Sequence, residues 1–280
     1  MLKRLGIYCK EMFPILINLS IGIVVFFEIY FVLLLNYGVT QFNINIQEFI
    51  GGLTLFAYLF LLRIVDDFKD YKTDKILFPE RPLPSGRVKK KDLIILGIFI
   101  LLLITVLNIV FMNNIIFFLF VLLYGVFMSL LFCYIEKLKK NFILMMFTHT
   151  PFLILMNLYV ISFTCIKYGL EAITHITFFI SFTIYFIGFI RGIAKEVKSA
   201  QNTLYLGMFA VLDTIINIIL LWNLNIILVG ILIINLIWFL VKIKQFAKNP
   251  ESFKMLNKAV IYVLIQESTM ILSVVWYLLI

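Results

Sequence analysis

Four aspartates, Asp66, Asp67, Asp70 and Asp74, are crowded into one short stretch that also carries Arg63, Lys69, Lys72, Lys75, Arg81 and Arg87. If one helix runs through the stretch, Asp67, Asp70 and Asp74 stand at i, i+3 and i+7 on a single face, and Asp66 joins them one turn before Asp70. Carboxylates so placed repel one another, and near a helix C-terminus they also oppose the macrodipole. A bound cation relieves both. Oxygen ligands without His or Cys favour a hard ion, and Mg²⁺ is commonly held by one or two carboxylates together with phosphate oxygens of a substrate. Lys69, Lys72, Arg81 and Arg87 would then surround the phosphates, Arg as a planar fork and Lys as a point charge. The alternative is a solvated charged linker laced by i to i+4 pairs such as Arg63 with Asp67.

The elements that position this segment follow from composition. Of 280 residues, 63% are hydrophobic and 14% are charged, whereas an ordinary soluble domain is about one quarter charged. Soluble and disordered classes are therefore excluded. At roughly 20 apolar residues per span, the chain supplies eight or nine transmembrane helices, and a single transmembrane domain over 1–280 is expected. The apolar runs place nine spans near 13–35, 49–65, 93–111, 114–134, 142–166, 173–190, 204–222, 224–241 and 259–280. The first run exceeds a signal-peptide core and contains Glu28, so it reads as a retained span.

With nine spans, 23 of the 24 Lys and Arg residues fall on one face, and only Lys167 lies opposite. The positive-inside bias then predicts a cytoplasmic N-terminus and an outer C-terminus. The net charge of +9 is thus one-sided, and attraction to anionic headgroups is a sufficient use for much of it. Membrane lipids are expected partners; nucleic acid is not.

Polar residues within spans should face the protein interior. Asn18, Glu28, Tyr58, His149, Asn157, Asp213, Asn217, Gln266 and Glu267 qualify, and Asp213 and Asn217 are one turn apart. Asn18, Tyr58 and Asp213 are candidates for an acceptor cavity. Mid-span acids also suit a proton-coupled transporter, but such a protein predicts inverted repeats and helices broken at matched Gly or Pro positions. Neither is evident. Cys9, Cys133 and Cys165 form no CxxC pair and read as small apolar fillers.

The string Asp66-Asp67-x-x-Asp70-x-x-x-Asp74 followed by Arg81-Pro-Leu-Pro-Ser-Gly-Arg87-Val resembles the first signature of the UbiA-type intramembrane prenyltransferases, NDxxDxxxD and then RPLPSG. The resemblance implies an all-α, nine-helix membrane bundle around a central cavity near the cytoplasmic side. It further implies Mg²⁺-dependent ionisation of a prenyl diphosphate and transfer to a small-molecule acceptor, aromatic or a lipid precursor, in a bacterial cell membrane. Carried onto this sequence, Asp67, Asp70 and Asp74 are the catalytic acids, with Asp66 and Glu196 completing the metal ligands. Lys69, Arg81, Lys139, Lys195 and Lys198 would neutralise diphosphate. The second family signature is an acidic DxxxD-like motif between spans six and seven, or EIARK in some bacterial members. Here the segment 191–202 holds one acid, Glu196, and Gly192 falls where the glutamate of EIARK would be. That departure puts the second metal in doubt and keeps open a catalytically impaired, isoprenoid-binding relative.

Overall fold

A computed structural model describes residues 1–134, 144, 147–148, 150–196, 200–222, 224–248 and 255–279, with side chains except at 132–134, 195–196, 200–202 and 278–279. Among the described residues there are eleven helices and no strand. They are α1 (Leu2–Glu11), α2 (Ile15–Asn36), α3 (Ile46–Lys69), α4 (Tyr71–Leu77), α5 (Lys90–Phe111), α6 (Ile115–Tyr134), α7 (Pro151–Tyr168), α8 (His175–Glu196), α9 (Ala200–Leu221), α10 (Ile226–Lys248) and α11 (Met255–Leu279). Eight are long and apolar enough to cross a membrane, and α6 adds a shorter apolar stretch, Ile115–Leu131. Each expected span overlaps one of these nine helices. The chain is a multi-pass membrane protein.

Local signals explain the boundaries. The α3 N-terminus is closed by a capping box, in which Asn45 accepts from the Gln47 amide at 2.9 Å and Glu48 accepts from the Asn45 amide at 2.8 Å. Pro151 opens α7, where a missing N–H costs nothing, and Gly169 closes it at φ 63°. Within the expected fifth span, 142–166, the described residues 144, 147 and 148 are also helical, and His149 lies outside the described residues. Two helices, α1 and α4, were not expected from apolar run length, because both are short and polar on one side.

The chain divides into two compact units. The first comprises residues 1–27 and 43–142, where α3 packs on α5 and α6 and α1 rests on α5. The outer face of α5 presents Ile98, Leu102 and Val106, each more than half exposed, which in a membrane is contact with lipid. The second comprises residues 28–42 and 143–280, where α8 packs on α7, α9 and α11, and α10 lies against α9 and α11. Within the first unit, α2 and α3 meet at Gly22. A Cβ there would stand 2.7 Å from the Phe56 amide nitrogen and 2.8 Å from the Gly52 carbonyl oxygen. Both neighbours are backbone and cannot step aside, so the contact requires glycine, as in other close helix pairs in membranes.

Gly22→Val should therefore destabilise the protein by about 1–3 kcal/mol or more through overpacking, read as a lower thermal unfolding midpoint in detergent. Gly6→Ala, at a helical position with nothing within 4 Å of its Cβ, should be neutral or slightly stabilising.

Candidate active site

The acidic segment occupies the end of α3 and all of α4. The helix does not continue unbroken through Asp74. It stops at Lys69, Asp70 takes φ −93° and ψ 2°, and α4 begins at Tyr71. Hydrogen bonds bridge the break, with the Asp70 amide donating to Asp66 O at 2.9 Å and the Asp74 amide to Asp70 O at 2.8 Å. The change of backbone angle corrects the expected single face of three acids. Asp67 and Asp74 are buried, whereas the Asp70 side chain is 48% exposed. Splitting the row in this way lessens the repulsion that a continuous helix would impose.

Each acid is met by a cation. Arg63 donates to Asp67 Oδ1 at 2.7 Å, Arg81 to Asp74 Oδ2 at 2.7 Å and Lys69 to Asp66 Oδ1 at 2.7 Å, while Lys69 also lies 3.8 Å from Asp70. The Arg63–Asp67 pair is the i to i+4 bridge that the linker alternative anticipates, but its acid is buried rather than solvated. Arg81 also stacks over the Phe78 ring, 4.0 Å from its centroid, which keeps its guanidinium beside Asp74. Lys72, by contrast, is exposed.

Sequence reasoning missed the part played by α1. Arg4, Tyr8 and Glu11, at i, i+4 and i+7, share a face and each grips a different element. Arg4 binds both oxygens of Asp92 at the start of α5, at 2.6 and 2.9 Å. Tyr8, fully buried and stacked on Phe60, donates its hydroxyl to Asp67 Oδ2 at 2.7 Å. Burial, and then the adjacent Asp67 charge, push the Tyr8 phenol far above its ordinary pKa, so it remains a donor. Glu11 takes a bidentate contact from Arg87, at 2.5 and 2.8 Å. The 4- and 3-residue spacing of Arg, Tyr and Glu before the first span was the available signal.

That last contact changes the reading of the RPLPSGRV run. Arg87 also reaches the Glu80 carbonyl and Ser85 Oγ, so it ties the loop to α1 and is committed within the fold. Leu83 and Val88 sink into the core with Tyr8, Phe13 and Phe60. Gly86 adopts φ 78° with open space around it, so the turn needs its conformational freedom and not its small size.

The remaining expected residues divide as follows. Asn18 donates back to Pro14 O of its own chain at 2.8 Å, and Tyr58 donates to Phe118 O at 3.1 Å while buried. Both groups serve the main chain. Asp213 lies in the second unit, 1% exposed, and accepts from Tyr262 at 2.9 Å. Lys139 and Lys198, and the side chains of Lys195 and Glu196, lie outside the described residues.

The whole chain superposes on a solved structure reported for digeranylgeranylglyceryl phosphate synthase in membranes. The TM-score is 0.66 at 18% identity, over 99% of this chain and 100% of that one. The chain shares the fold of that synthase, a UbiA-type intramembrane prenyltransferase. No family model matches the sequence, and no curated protein matches it significantly. On this prenyltransferase fold, the fit of a metal to the first motif can be judged from its donors. They are oxygen alone, as Mg²⁺ prefers. Among the described residues, however, no three Asp, Glu, His or Cys side chains close on one point. The acids suit an ion whose shell is completed by phosphate oxygens, and not one held by protein alone.

The Glu11–Arg87 clasp predicts a pH effect. Its hydrogen bond to Arg87 lowers the Glu11 pKa, so the clasp is fully formed above the ordinary carboxylate range and is lost as pH falls through that lowered value. A spin label on Gly6→Cys should gain mobility on acidification, and that gain should shrink in Glu11→Gln, where the clasp is weak at every pH.

Proposed function

We propose that this chain is an integral membrane prenyltransferase that moves an isoprenyl group from a prenyl diphosphate to a small-molecule acceptor with Mg²⁺. The observation that carries the reading is the placement of Asp67 and Asp74, buried and paired with Arg63 and Arg81 ahead of the RPLPSGRV run, on a chain whose full length has a prenyltransferase fold. Mg²⁺ would be held by Asp67 and Asp74 with Asp66, Asp70 and Glu196 as further ligands, and it would offset the charge that develops on the departing diphosphate. The basic loops would face the cytoplasm.

The chain's own residues supply the rest. Arg81 and Lys69 each hold a carboxylate at 2.7 Å and can exchange it for a phosphate oxygen without moving far, with Lys139, Lys195 and Lys198 as further cations. The allylic carbon–oxygen bond then breaks, its electron pair leaving on the diphosphate, and the acceptor donates a pair to the allylic carbon and loses a proton. A water-excluding apolar surround protects the cationic carbon meanwhile. Tyr8 and Arg63 occupy one oxygen each of Asp67, which fixes the carboxylate's orientation and leaves a lone pair on each oxygen for a ligand. Such supporting contacts typically contribute 10–100-fold in metal affinity or activity.

Membranes carrying the protein, supplied with Mg²⁺, labelled prenyl diphosphates of several lengths and a panel of acceptors, should form a prenylated product. Chelation of the metal, Asp67→Asn or Asp70→Asn should each abolish it; product unchanged in both variants sinks the metal assignment. Tyr8→Phe should lower activity about 10-fold or more and raise the Mg²⁺ concentration required. A second reading, an isoprenoid-binding relative without turnover, is favoured by the single acid in 191–202. Under it, diphosphate binds and is never consumed.

A further inference from the structure

The second unit holds a polar constellation to which the prenyl-transfer steps above assign no role. Its centre is the seam between α9 and α11. The Tyr262 hydroxyl lies 2.9 Å from Asp213 Oδ2, 2.9 Å from Ala210 O and 2.8 Å from Thr214 Oγ1. Gln266, one turn beyond Tyr262, donates its amide N–H to the same Thr214 hydroxyl at 2.8 Å. The hydroxyls of Tyr262 and Thr214 and the Gln266 amide are therefore engaged. What they leave is a set of oxygens: Asp213 Oδ1, Asn217 Oδ1 and Gln266 Oε1, all buried and none with a hydrogen-bond donor. The three residues are 1%, 2% and 0% exposed. Asn217 shares a face of α9 with Asp213, and Gln266 is held against α9 through Thr214.

Charge makes the same point. Glu28 on α2 faces Glu267 on α11 within hydrogen-bonding reach, Glu267 acts electrostatically on Asp213 and Asp213 on Glu28, and Glu28 Oε2 is another buried oxygen without a donor. Among the described residues no ion pair reaches Glu28, Asp213 or Glu267. Acids and amide oxygens within spans are expensive unless something positive meets them. Buried oxygens without donors predominate at this seam, and a cation is the ligand that meets carboxylate and amide oxygens alike. Carboxylate and amide oxygens without sulfur or imidazole select a hard ion. No three acids converge among the described residues, so the direct shell is one carboxylate with amide oxygens. That low negative charge suits a monovalent ion better than a divalent one.

We propose that the α9–α11 seam is an intramembrane binding site for an alkali cation, coordinated by Asp213 Oδ1, Asn217 Oδ1 and Gln266 Oε1, with the Glu28–Glu267 carboxyl pair as neighbouring charge. The site uses none of the aspartates proposed to hold Mg²⁺.

The test uses the full chain purified in detergent. Its thermal unfolding midpoint is followed by tryptophan fluorescence in NaCl, KCl or choline chloride at equal ionic strength. A saturable upward shift in NaCl or KCl relative to choline chloride is expected, lost in Asp213→Asn and in Gln266→Leu and retained in Asp67→Asn. Equilibrium dialysis of ²²Na⁺ or ⁸⁶Rb⁺ against the folded protein keeps the test open if a variant fails to fold, and competition by unlabelled NaCl or KCl should displace the label. Equal midpoints in the three salts together with no saturable label binding overturn the proposal, as does an alkali effect that survives in both seam variants. Stabilisation on acidification alone, in choline chloride and without any alkali effect, would mean that protons on Glu28, Asp213, Glu267 and Tyr262 suffice, and would overturn it too.

Discussion

The interaction on which the first unit depends is the two-sided hold on Asp67. A buried carboxylate at the C-terminal end of an apolar helix has lost most of its water, and it persists as an anion only if charge and hydrogen bonds replace that water. Arg63 supplies the charge from one turn earlier in α3, and Tyr8 supplies the hydrogen bond from α1. Much of the surrounding structure follows from the second contact. To bring Tyr8 to Asp67, α1 must lie across the ends of α3 and α5, and Arg4 and Glu11 secure it there. The RPLPSGRV run is then drawn down by Arg87 and by burial of Leu83 and Val88. One desolvated acid thus organises a helix, a loop and a core cluster.

The same constraint is met differently in the second unit. There Asp213 and Glu28 lie within spans without an ion-pair partner among the described residues. The first unit pairs the acids of α3 and α4 with Arg63, Lys69 and Arg81, whose long side chains stay partly exposed. Deep in a span a Lys or Arg would itself need hydration, and small polar groups from Tyr262, Thr214 and Gln266 take its place.

Much of the fold was legible because hydropathy reads out spans directly: a backbone without water must close its own hydrogen bonds, and long apolar runs become helices. The helices α2, α3, α5 and α8 to α11 fall where the apolar runs placed them. What escaped were features set by tertiary contacts. Nothing local in Asp70 announces that the helix will break there, because its amide and carbonyl keep helical partners across the break. Nor does composition show that Arg87 will bind Glu11, which is 76 residues away. The bond from Tyr58 to the Phe118 carbonyl, 60 residues away, likewise became visible only with the packing. The order of aspartates and the RPLPSGRV run, in contrast, is local and could be read at once.

The reach of α1 also has a temporal side. Its three anchors lie on Asp67, Arg87 and Asp92, all of which are synthesised long after α1 itself. During translation α1 therefore precedes every element that it grips and can dock only after them. Until residue 92 has emerged, Arg4 and Tyr8 have no complete seat, and α1, with its basic residues and apolar Leu2 and Leu5, is suited to wait at the membrane surface. Closure of α1 over Asp67 would then mark completion of the acidic segment's surroundings, making α1 the latch of the unit rather than its foundation.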